Sequence, residues 1–225
     1  MITNICHCPI CGNLANNSNI VHQMIGNNLF DCGSCSYRFV DCSKMTKKSM
    51  YKHQNLNSHS FGKNLQRNIE YLNLLTEVKK KKNIKRLLEI GTPKNYDFLK
   101  KVHNRFNTNI KLYSHDLLEN KTPEFINFYS KKDELFEESI DILFCIHTLE
   151  HIPTNEIIEF INFCKKVSKY FVFEVPYCPT RERVMESTRN PHYSFFTEKS
   201  IEKLFGKKID IHIRGKVIKF NNLRF

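Results

Sequence analysis

The sequence predicts an α/β fold in which a small N-terminal module precedes a doubly wound, mostly parallel sheet with an antiparallel C-terminal edge. From residue 85 onward, short apolar segments alternate with segments whose apolar residues recur at helical spacing, which is the pattern of parallel strands joined by helices. Before that, six of the nine cysteines lie within the first 45 residues. We therefore expect a cysteine-rich module at 1–45, a helical linker at 46–83 and an α/β domain at 84–225.

The composition of the 225 residues is that of a globular protein. Apolar residues make up 40% and aromatic residues 12%, which allows a sizeable core and excludes disordered or fibrous classes. No segment approaches the roughly 20 apolar residues of a membrane helix, and the first residues lack the pattern of a secretory signal. Cysteines in CxxC pairs and apolar segments suit a reducing compartment. We expect a cytoplasmic protein without a membrane span.

The formal charge of +12 has two interpretations. A basic chain can bind a polyanionic partner, such as nucleic acid or a phosphorylated or nucleotide-linked substrate. Alternatively, the charge reflects a general richness in Lys, Asn and Ile, because the basic residues are scattered apart from Lys79–Lys82 and Lys85-Arg86. A charge run before a strand is usually a solvated linker. We favour the second interpretation.

The strands of the parallel sheet are predicted from apolar segments. One of them, Ile140–Ile146, is almost entirely apolar, as expected for a central strand that is covered on both faces. The other segments are Arg86–Ile90, Ile110–Tyr113, Ile126–Tyr129 and Tyr170–Val175. The last two strands, at 209–213 and 216–220, surround Gly215 and form the antiparallel edge. This order of strands and helices predicts a Rossmann-like fold.

Two helices are expected to precede the central strand. A connecting helix over about 61–79 is predicted from residues at helical spacing, which are Leu65, Ile69, Leu72 and Leu75. Asn95 is expected to cap the second helix. The apolar face of that second helix is formed by Tyr96, Leu99, Val102 and Phe106.

Two further helices are expected after the central strand. Pro153-Thr154 opens the first, and Thr197 caps the second, which ends at Gly206. The inward residues of the first are Ile157, Ile158, Ile161, Cys164 and Val167.

The N-terminal module contains two CxxC pairs. Cys8 and Cys11 form the first, and Cys32 and Cys35 form the second. This spacing predicts a zinc ribbon in which four thiolates bind one structural zinc ion tetrahedrally. A module of this size needs the free energy of metal binding to fold stably. Nearby Gly12 and Gly33 suit the tight turns, and 20–22 and 28–30 suit a hairpin around Gly26. Spare candidates are Cys6, His7 and Cys42, and the alternative is that these cysteines are simply buried thiols.

Four segments of the α/β domain share their residues and order with a known family. They are Leu88-Glu89-Ile90-Gly91, the segment 140–153 with Leu149-Glu150-His151, Phe173-Glu174-Val175-Pro176, and His192-Tyr193-Ser194-Phe195-Phe196-Thr197. With these segments, residues 84–225 resemble the class I S-adenosylmethionine-dependent methyltransferases, particularly the small-molecule, type 11/23-like branch. The cysteine module is also similar to that of zinc-bearing sugar methyltransferases.

The resemblance implies S-adenosylmethionine as cofactor, bound at the carboxyl ends of the strands. The turn at Gly91 lets the backbone approach the methionine part of the cofactor. Asp116, with Glu119 behind it, is the candidate for the ribose hydroxyls. The expected cofactor-binding residues are Glu89, Gly91, Thr92, Pro93, Asp116, His147, Thr148 and Leu149.

His151 and His192 are the candidate catalytic bases. Methyl transfer removes one proton from the acceptor, and imidazole titrates near neutral pH. Each candidate has a structural alternative. His151 can orient a loop or begin a helix, His192 can bond to the backbone, and Asp116 can be a turn residue or helix cap.

The leading hypothesis is S-adenosylmethionine-dependent methyl transfer to a hydroxyl or amine of a small molecule, a sugar or a nucleotide-linked polysaccharide precursor. One alternative is an RNA methyltransferase, which the charge, the cysteine module and the aromatic residues motivate. Another is a non-catalytic scaffold. It is motivated by the loop 91–95, where the second and third glycines typical of the family are missing and Pro93 removes a backbone donor.

Overall fold

A computed structural model describes residues 6–43, 45, 61–92, 95–116, 121–131, 134 and 139–223 of the chain. The fold divides into two compact units. Unit 1 comprises Met1–Leu56, His147–Asn162 and Phe173–Asn222, and unit 2 comprises Asn57–Ile146, Phe163–Val172 and Leu223–Phe225. The predicted boundaries at 45 and 83 stay a prediction.

The predicted strands and helices occur in the predicted order. The strands are β1 (Cys6–His7), β2 (Leu14–Val21), β3 (Asn28–Cys32), β4 (Tyr37–Val40), β5 (Arg86–Ile90), β6 (Lys111–His115), β7 (Ile126–Tyr129), β8 (Ile140–Ile146), β9 (Ser168–Pro176), β10 (Ser194–Phe195), β11 (Asp210–Arg214) and β12 (Val217–Asn221). The helices are α1 (Phe61–Lys81), α2 (Asp97–Phe106), α3 (Ile157–Val167), α4 (Arg181–Ser187) and α5 (Glu198–Phe205). The structure adds β1, β4, α4 and β10, which were not predicted.

The larger sheet has the predicted, mostly parallel topology. Its described strands follow the order β11-β12-β9-β8-β5-β6-β7. β5 pairs in parallel with both β6 and β8, and β6 pairs in parallel with β7. The strand order therefore reverses at β5, and ligands of open α/β sheets bind beyond the carboxyl end of a strand at such a point. β11 and β12 pair antiparallel, which confirms the predicted C-terminal edge.

The smaller sheet belongs to unit 1 and is antiparallel. Its described strands follow the order β1-β2-β3-β4-β10. The hairpin of β2 and β3 turns at Gly26, whose φ is 80°. Ser194 and Phe195 of β10 pair with Phe39 and Arg38 of β4, so this sheet includes a late segment of the chain that the sequence did not predict to pair there.

Each unit has its own apolar core. In unit 2 the core lies against β5 and β8, where Leu75, Leu87, Leu99, Ile142 and Phe144 are fully buried. In unit 1, Leu29, Val40, Val184 and Tyr193 are fully buried together, and Phe173 stacks on Phe220 with ring centroids 5.2 Å apart.

The structure corrects the predicted buried face of α1. Ile69 is 47% exposed, whereas Asn68 is buried. The buried face instead consists of Asn68, Tyr71, Leu72, Leu75 and Val78. Leu72 and Leu75 are buried as predicted, and the rest of the face lies on the side of Asn68, Tyr71 and Val78, since successive residues of a helix point about 100° apart. The side chain of Leu65 lies outside the described residues.

Two details of the later helices also differ from prediction. Tyr96, not Asn95, precedes α2, with a left-handed φ of 53° and no side-chain cap. Asn95 instead donates a hydrogen bond to Asp97 at 2.7 Å. Ile158 is 39% exposed, while Ile157 is fully buried, because consecutive helical residues cannot both face one core. Thr197 caps α5 through a capping box with Ser200, as predicted for Thr197.

Among the described residues, the structure contains no helix that is both long and apolar enough to span a lipid bilayer.

Candidate functional site

The four cysteines of the predicted zinc ribbon lie together in unit 1. Their sulfur atoms are all within 4.8 Å of one another. The sulfurs of Cys8 and Cys35 are 3.6 Å apart, and those of Cys11 and Cys32 are 3.4 Å apart. These distances are too long for a disulfide. Sulfurs bound to one zinc ion at about 2.3 Å lie roughly 3.8 Å apart. The four cysteines therefore fit a closed, structural zinc site.

The backbone forms the same type of turn at each of the two CxxC pairs. The N–H of Gly12 donates to the carbonyl of Cys8 at 2.8 Å, and the N–H of Ser36 donates to that of Cys32 at 2.8 Å. Gly12 and Ser36 also share a left-handed φ, of 76° and 56°. Ser36, not Gly33, is thus the counterpart of Gly12 in the second turn.

The spare ligand candidates take part in other contacts. The thiol of Cys42 donates to the carbonyl of Val40, and the thiol of Cys6 donates to that of His7. The ring Nδ1 of His7 lies 2.9 Å from the carbonyl oxygen of Gly12. The group of four sulfurs is Cys8, Cys11, Cys32 and Cys35, which favours the predicted ligand set.

A pocket in unit 2 contains the acidic residue of the predicted cofactor motif. The volume of the pocket is about 400 Å³, including the part that is open to solvent. Glu89, near the end of β5, lines it together with Ile146, the last residue of β8. The remaining lining residues are Arg67, Asn68, Tyr71, Asn95, Asp97 and Phe98. The pocket therefore lies where the strand order reverses, as the fold predicts.

Glu89 is the most unusual group of this pocket. Glu89 is only 4% exposed, and its Oε2 is buried without a hydrogen-bond partner among the described residues. Burial raises the pKa of Glu89 to about 8; the positive charge of Arg67 opposes this rise, and the charges of Asp97 and Asp116 add to it. A buried carboxylate oxygen without a partner costs free energy. A ligand that donates a hydrogen bond to it would remove this cost.

The turn after β5 is held by backbone and hydroxyl contacts. Gly91 has a left-handed φ of 71°, and its N–H donates to the carbonyl of His115 at 2.9 Å. The hydroxyl of Thr92 donates to the carbonyl of Glu89 and lies 2.7 Å from that of Ser114. Thr92 thus braces the turn. Pro93 lies outside the described residues, as does Glu119.

Sequence reasoning missed most of the pocket wall. Arg67, Asn68 and Tyr71 lie on α1, which the sequence predicted only as a connecting helix. The available signal was the spacing of Asn68 from Leu72 and Leu75, which places a polar residue on the buried face. Asp116 directly follows β6 and is half-buried, and its charge acts on Glu89.

His147 lies between two buried carboxylates of unit 1 and contacts both. It has a left-handed φ of 52° directly after β8. Its Nδ1 lies 3.1 Å from Glu150 and its Nε2 lies 3.0 Å from Glu174. Lys219 lies 3.4 Å from the other oxygen of Glu174. Burial alone would lower the pKa of His147, but the hydrogen bonds and charges of Glu150 and Glu174 raise it to about 9.

The predicted catalytic histidines lie next to each other in unit 1. The ring centroids of His151 and His192 are 4.7 Å apart and the rings are T-shaped. Nδ1 of His151 lies 3.0 Å from the carbonyl oxygen of Pro191, and Nδ1 of His192 lies 2.6 Å from the hydroxyl of Ser187. Burial, together with the nearby charge of His151, lowers the pKa of His192 to about 3. The imidazole of His192 is therefore neutral at pH 7.

Glu150 completes this cluster. Its carboxylate is almost fully buried, and its Oε2 has no hydrogen-bond partner among the described residues. Burial would raise the pKa of Glu150, but the hydrogen bond and charge of His147 lower it to about 2. The two remaining predicted residues, Thr148 and Leu149, belong to the short turn that leads to Glu150. Thr148 is half-buried there, and Leu149 is fully buried.

Comparison with known proteins identifies the fold. No protein-family model matches the chain, and no curated protein matches its sequence. The methyltransferase domain of bacterial CtHen1 matches with a TM-score of 0.51 and 14% identity, over 70% of this chain and 97% of that chain. A SAM-dependent methyltransferase from Archaeoglobus fulgidus matches with a TM-score of 0.51 and 13% identity, over 76% of this chain and 96% of that chain. The small RNA methyltransferase HEN1 matches with a TM-score of 0.51 and 14% identity, over 74% of this chain and 26% of that chain.

These likenesses agree with the resemblance seen in the sequence. The chain has the fold of S-adenosylmethionine-dependent methyltransferases, with a four-cysteine cluster near its N-terminus.

Proposed function

We propose that the chain is an S-adenosylmethionine-dependent methyltransferase that methylates a hydroxyl or amine of a small molecule, namely a sugar or a nucleotide-linked polysaccharide precursor. One observation carries the cofactor assignment. One buried side-chain oxygen of Glu89, Oε2, lacks a hydrogen-bond partner among the described residues, and Glu89 lines a pocket together with Arg67. The acceptor class rests on the resemblance of the sequence motifs to small-molecule enzymes.

The pocket is complementary in charge to the methionine end of the cofactor, which has an ammonium and a carboxylate group. Glu89 would accept hydrogen bonds from the ammonium, and Arg67 would pair with the carboxylate. Tyr71 and Phe98 offer apolar walls beside these two charges. Asp116, at the end of β6, is the proposed partner of the ribose hydroxyls.

The other predicted cofactor residues have supporting parts in this proposal. Gly91 turns the chain at a φ that suits glycine, and Thr92 braces that turn. His147, Thr148 and Leu149 follow directly after Ile146, which lines the pocket. We also propose that Cys8, Cys11, Cys32 and Cys35 hold a structural zinc ion. The proposed domains are the zinc ribbon at 1–45, the helical linker at 46–83 and the methyltransferase domain at 84–225.

The cofactor supplies a methyl group on a sulfonium. In the transfer, the sulfur–methyl bond breaks as the bond from methyl to the acceptor oxygen or nitrogen forms, a neutral thioether leaves, and the acceptor gives up one proton. His151 is the better of the two candidate bases. Its Nδ1 donates to the carbonyl of Pro191, so in the neutral imidazole the lone pair lies on Nε2. The depressed pKa of His192 makes its imidazole a weaker base.

Calorimetric titration with S-adenosylmethionine and with its demethylated product tests the cofactor assignment. We expect saturable binding of one molecule per chain. Binding of neither compound would contradict the proposal and would favour the non-catalytic scaffold. Mass spectrometry of candidate hydroxyl and amine acceptors after incubation with the cofactor then tests for a mass gain of one methylene unit.

An RNA acceptor is the second candidate. The formal charge of +12 supports it, and the described exposed basic residues include Arg181, Arg189, Lys207, Lys208, Arg214 and Lys216. HEN1, which shares the fold, is described as a small RNA methyltransferase. Phosphate contacts make affinity fall steeply with salt. Tight RNA binding with a steep salt dependence would favour this candidate, whereas weak binding that is insensitive to salt would exclude it.

A further inference from the structure

A second group of metal-ligand side chains lies in unit 1 besides the four cysteines. A carboxylate oxygen of Glu150 and one ring nitrogen each of His151 and His192 lie within 4.8 Å of one another. We propose that these three residues bind one divalent transition-metal ion and leave coordination positions open for oxygen ligands.

The carboxylate of Glu150 is the first argument. Only 1% of its side chain is exposed, and one oxygen, Oε1, lies 3.1 Å from His147. The other oxygen, Oε2, is buried without a hydrogen-bond partner among the described residues. Leaving such an oxygen without a partner is costly in a protein interior. A cation is a partner that would offset this cost, since a buried carboxylate is a strong metal ligand.

The orientation of the two imidazoles is the second argument. The carbonyl oxygen of Pro191 can only accept, so Nδ1 of His151 donates to it, and the neutral imidazole then has its lone pair on Nε2. The hydroxyl of Ser187, 2.6 Å from Nδ1 of His192, can fix the second imidazole in the same tautomer. Histidines that bind metals are held in this way, with one ring nitrogen bonded to an oxygen and the other directed to the ion.

The surroundings of the cluster hold Glu150 in place. His147 donates to Glu150 and also to Glu174, whose other oxygen lies 3.4 Å from Lys219. His22 supports the histidine segment. Its Nδ1 accepts hydrogen bonds from two backbone N–H groups, and its Nε2 donates to the carbonyl of His192 at 2.9 Å. These hydrogen bonds orient the side chains of the group, as a preorganised site requires.

The donor set indicates the class of ion. Two imidazoles and one carboxylate suit zinc, iron, cobalt or manganese in the divalent state, and three protein ligands leave room for others. Ligands at about 2.1 Å from one ion lie roughly 3.0–3.5 Å apart, so small side-chain rotations would close the present group. The open positions would take water or another oxygen ligand. With the ion bound, Nε2 of His151 is a ligand, so the role of His151 as candidate base applies only to the protein without this ion. The metal site does not rest on the proposed function.

Manganese binding to the zinc-loaded protein tests the proposal, because manganese does not compete for four thiolates. The electron paramagnetic resonance signal of free Mn²⁺ should decrease as one ion per chain binds. Cobalt added to the same protein should give weak visible absorption without the intense thiolate bands. Wild-type protein that binds neither ion at millimolar concentration would overturn the proposal.

Single variants locate the site. Glu150→Gln and His192→Gln should each weaken Mn²⁺ binding at least about 100-fold, since removing a ligand costs more than removing a supporting contact. His212→Gln, on the exposed face of β11, is the matched control and should bind as wild type does. Ligand variants that bind Mn²⁺ as tightly as wild type would also overturn the site.

Two further measurements separate this proposal from others. Near-ultraviolet circular dichroism shows whether each variant is folded. If a variant is misfolded, the cobalt spectrum of the wild-type protein tests the site instead. Calorimetry with S-adenosylmethionine, without metal, shows whether the cofactor site is present. Cofactor binding without Mn²⁺ binding would contradict only the metal site. Mn²⁺ binding without cofactor binding would contradict only the proposed function.

Discussion

The carboxylate of Glu89 and the guanidinium of Arg67 line the same pocket, and the positive charge of Arg67 opposes the rise in the pKa of Glu89. One residue lies near the end of β5 and the other lies on α1. The pocket therefore offers one partner for each charge of a zwitterionic ligand, since Arg67 is a cation and an ammonium group would favour the ionised form of Glu89.

Glu89→Gln should weaken binding of S-adenosylmethionine about 10- to 100-fold. A hydrogen bond to a charged group contributes about 1.5–3 kcal/mol, which corresponds to that range of affinity. Titration calorimetry measures the change. Glu77→Gln, which replaces an exposed glutamate on α1, is the control and should leave the affinity unchanged. An equal loss in both variants would contradict a specific role of Glu89.

Binding of the cofactor at pH 7 should release close to one proton from Glu89. Its pKa of about 8 means that most of the unliganded protein carries the proton at pH 7, and pairing with an ammonium favours the ionised form. The release should shrink as the pH rises above 8. Calorimetry in buffers of different ionisation enthalpy measures it, and Glu89→Gln should abolish it. An unchanged release in that variant would assign the proton to another group.

Cys11→Ser should lose the zinc ion that wild-type protein is expected to carry at one per chain. Removing one of four thiolates lowers the affinity, and the zinc affinity of a small module is part of its folding free energy. Elemental analysis gives the zinc content, and thermal unfolding should show a lower midpoint. Cys6→Ser is the control because Cys6 lies outside the four-sulfur group. Zinc loss in both variants would contradict the ligand set.

His147→Gln should destabilise the protein by about 1–3 kcal/mol. The change removes the cation between two buried carboxylates, a loss that costs about 3–5 kcal/mol when burial is complete. We expect less because 29% of the His147 side chain is exposed. Denaturant unfolding near pH 7 measures the difference. His212→Gln, at an exposed position of β11, should change stability by less than about 0.5 kcal/mol.

Local patterns in the sequence predicted several elements closely. The strands β5, β7 and β8 begin and end at the predicted residues, because each is an apolar run bounded by polar or turn residues. The four-cysteine group was predicted from two CxxC spacings, and the cap at Thr197 from a single residue type at a helix start. In each case neighbours along the chain carry the information.

Other features depended on contacts between distant segments. Sequence spacing on α1 suggested that Ile69 is buried, whereas packing buries Asn68. Arg67 joins the pocket of Glu89 only through the placement of α1. Ser36 takes a left-handed φ that residue type would assign to glycine, because its N–H completes the second cysteine turn. None of these outcomes follows from local propensity.

By itself, the sequence determined the alternation of strands and helices, the methyltransferase motifs and the cysteine pairs, since these depend on residue type and short-range spacing. Only the tertiary structure decided which polar atoms of the described residues are buried without a hydrogen-bond partner. Glu89 and Glu150 each belong to a motif readable in the sequence, but their isolated carboxylate oxygens arise from side chains brought together by packing. Burial makes those oxygens candidate ligand sites, and burial is a property of the folded chain.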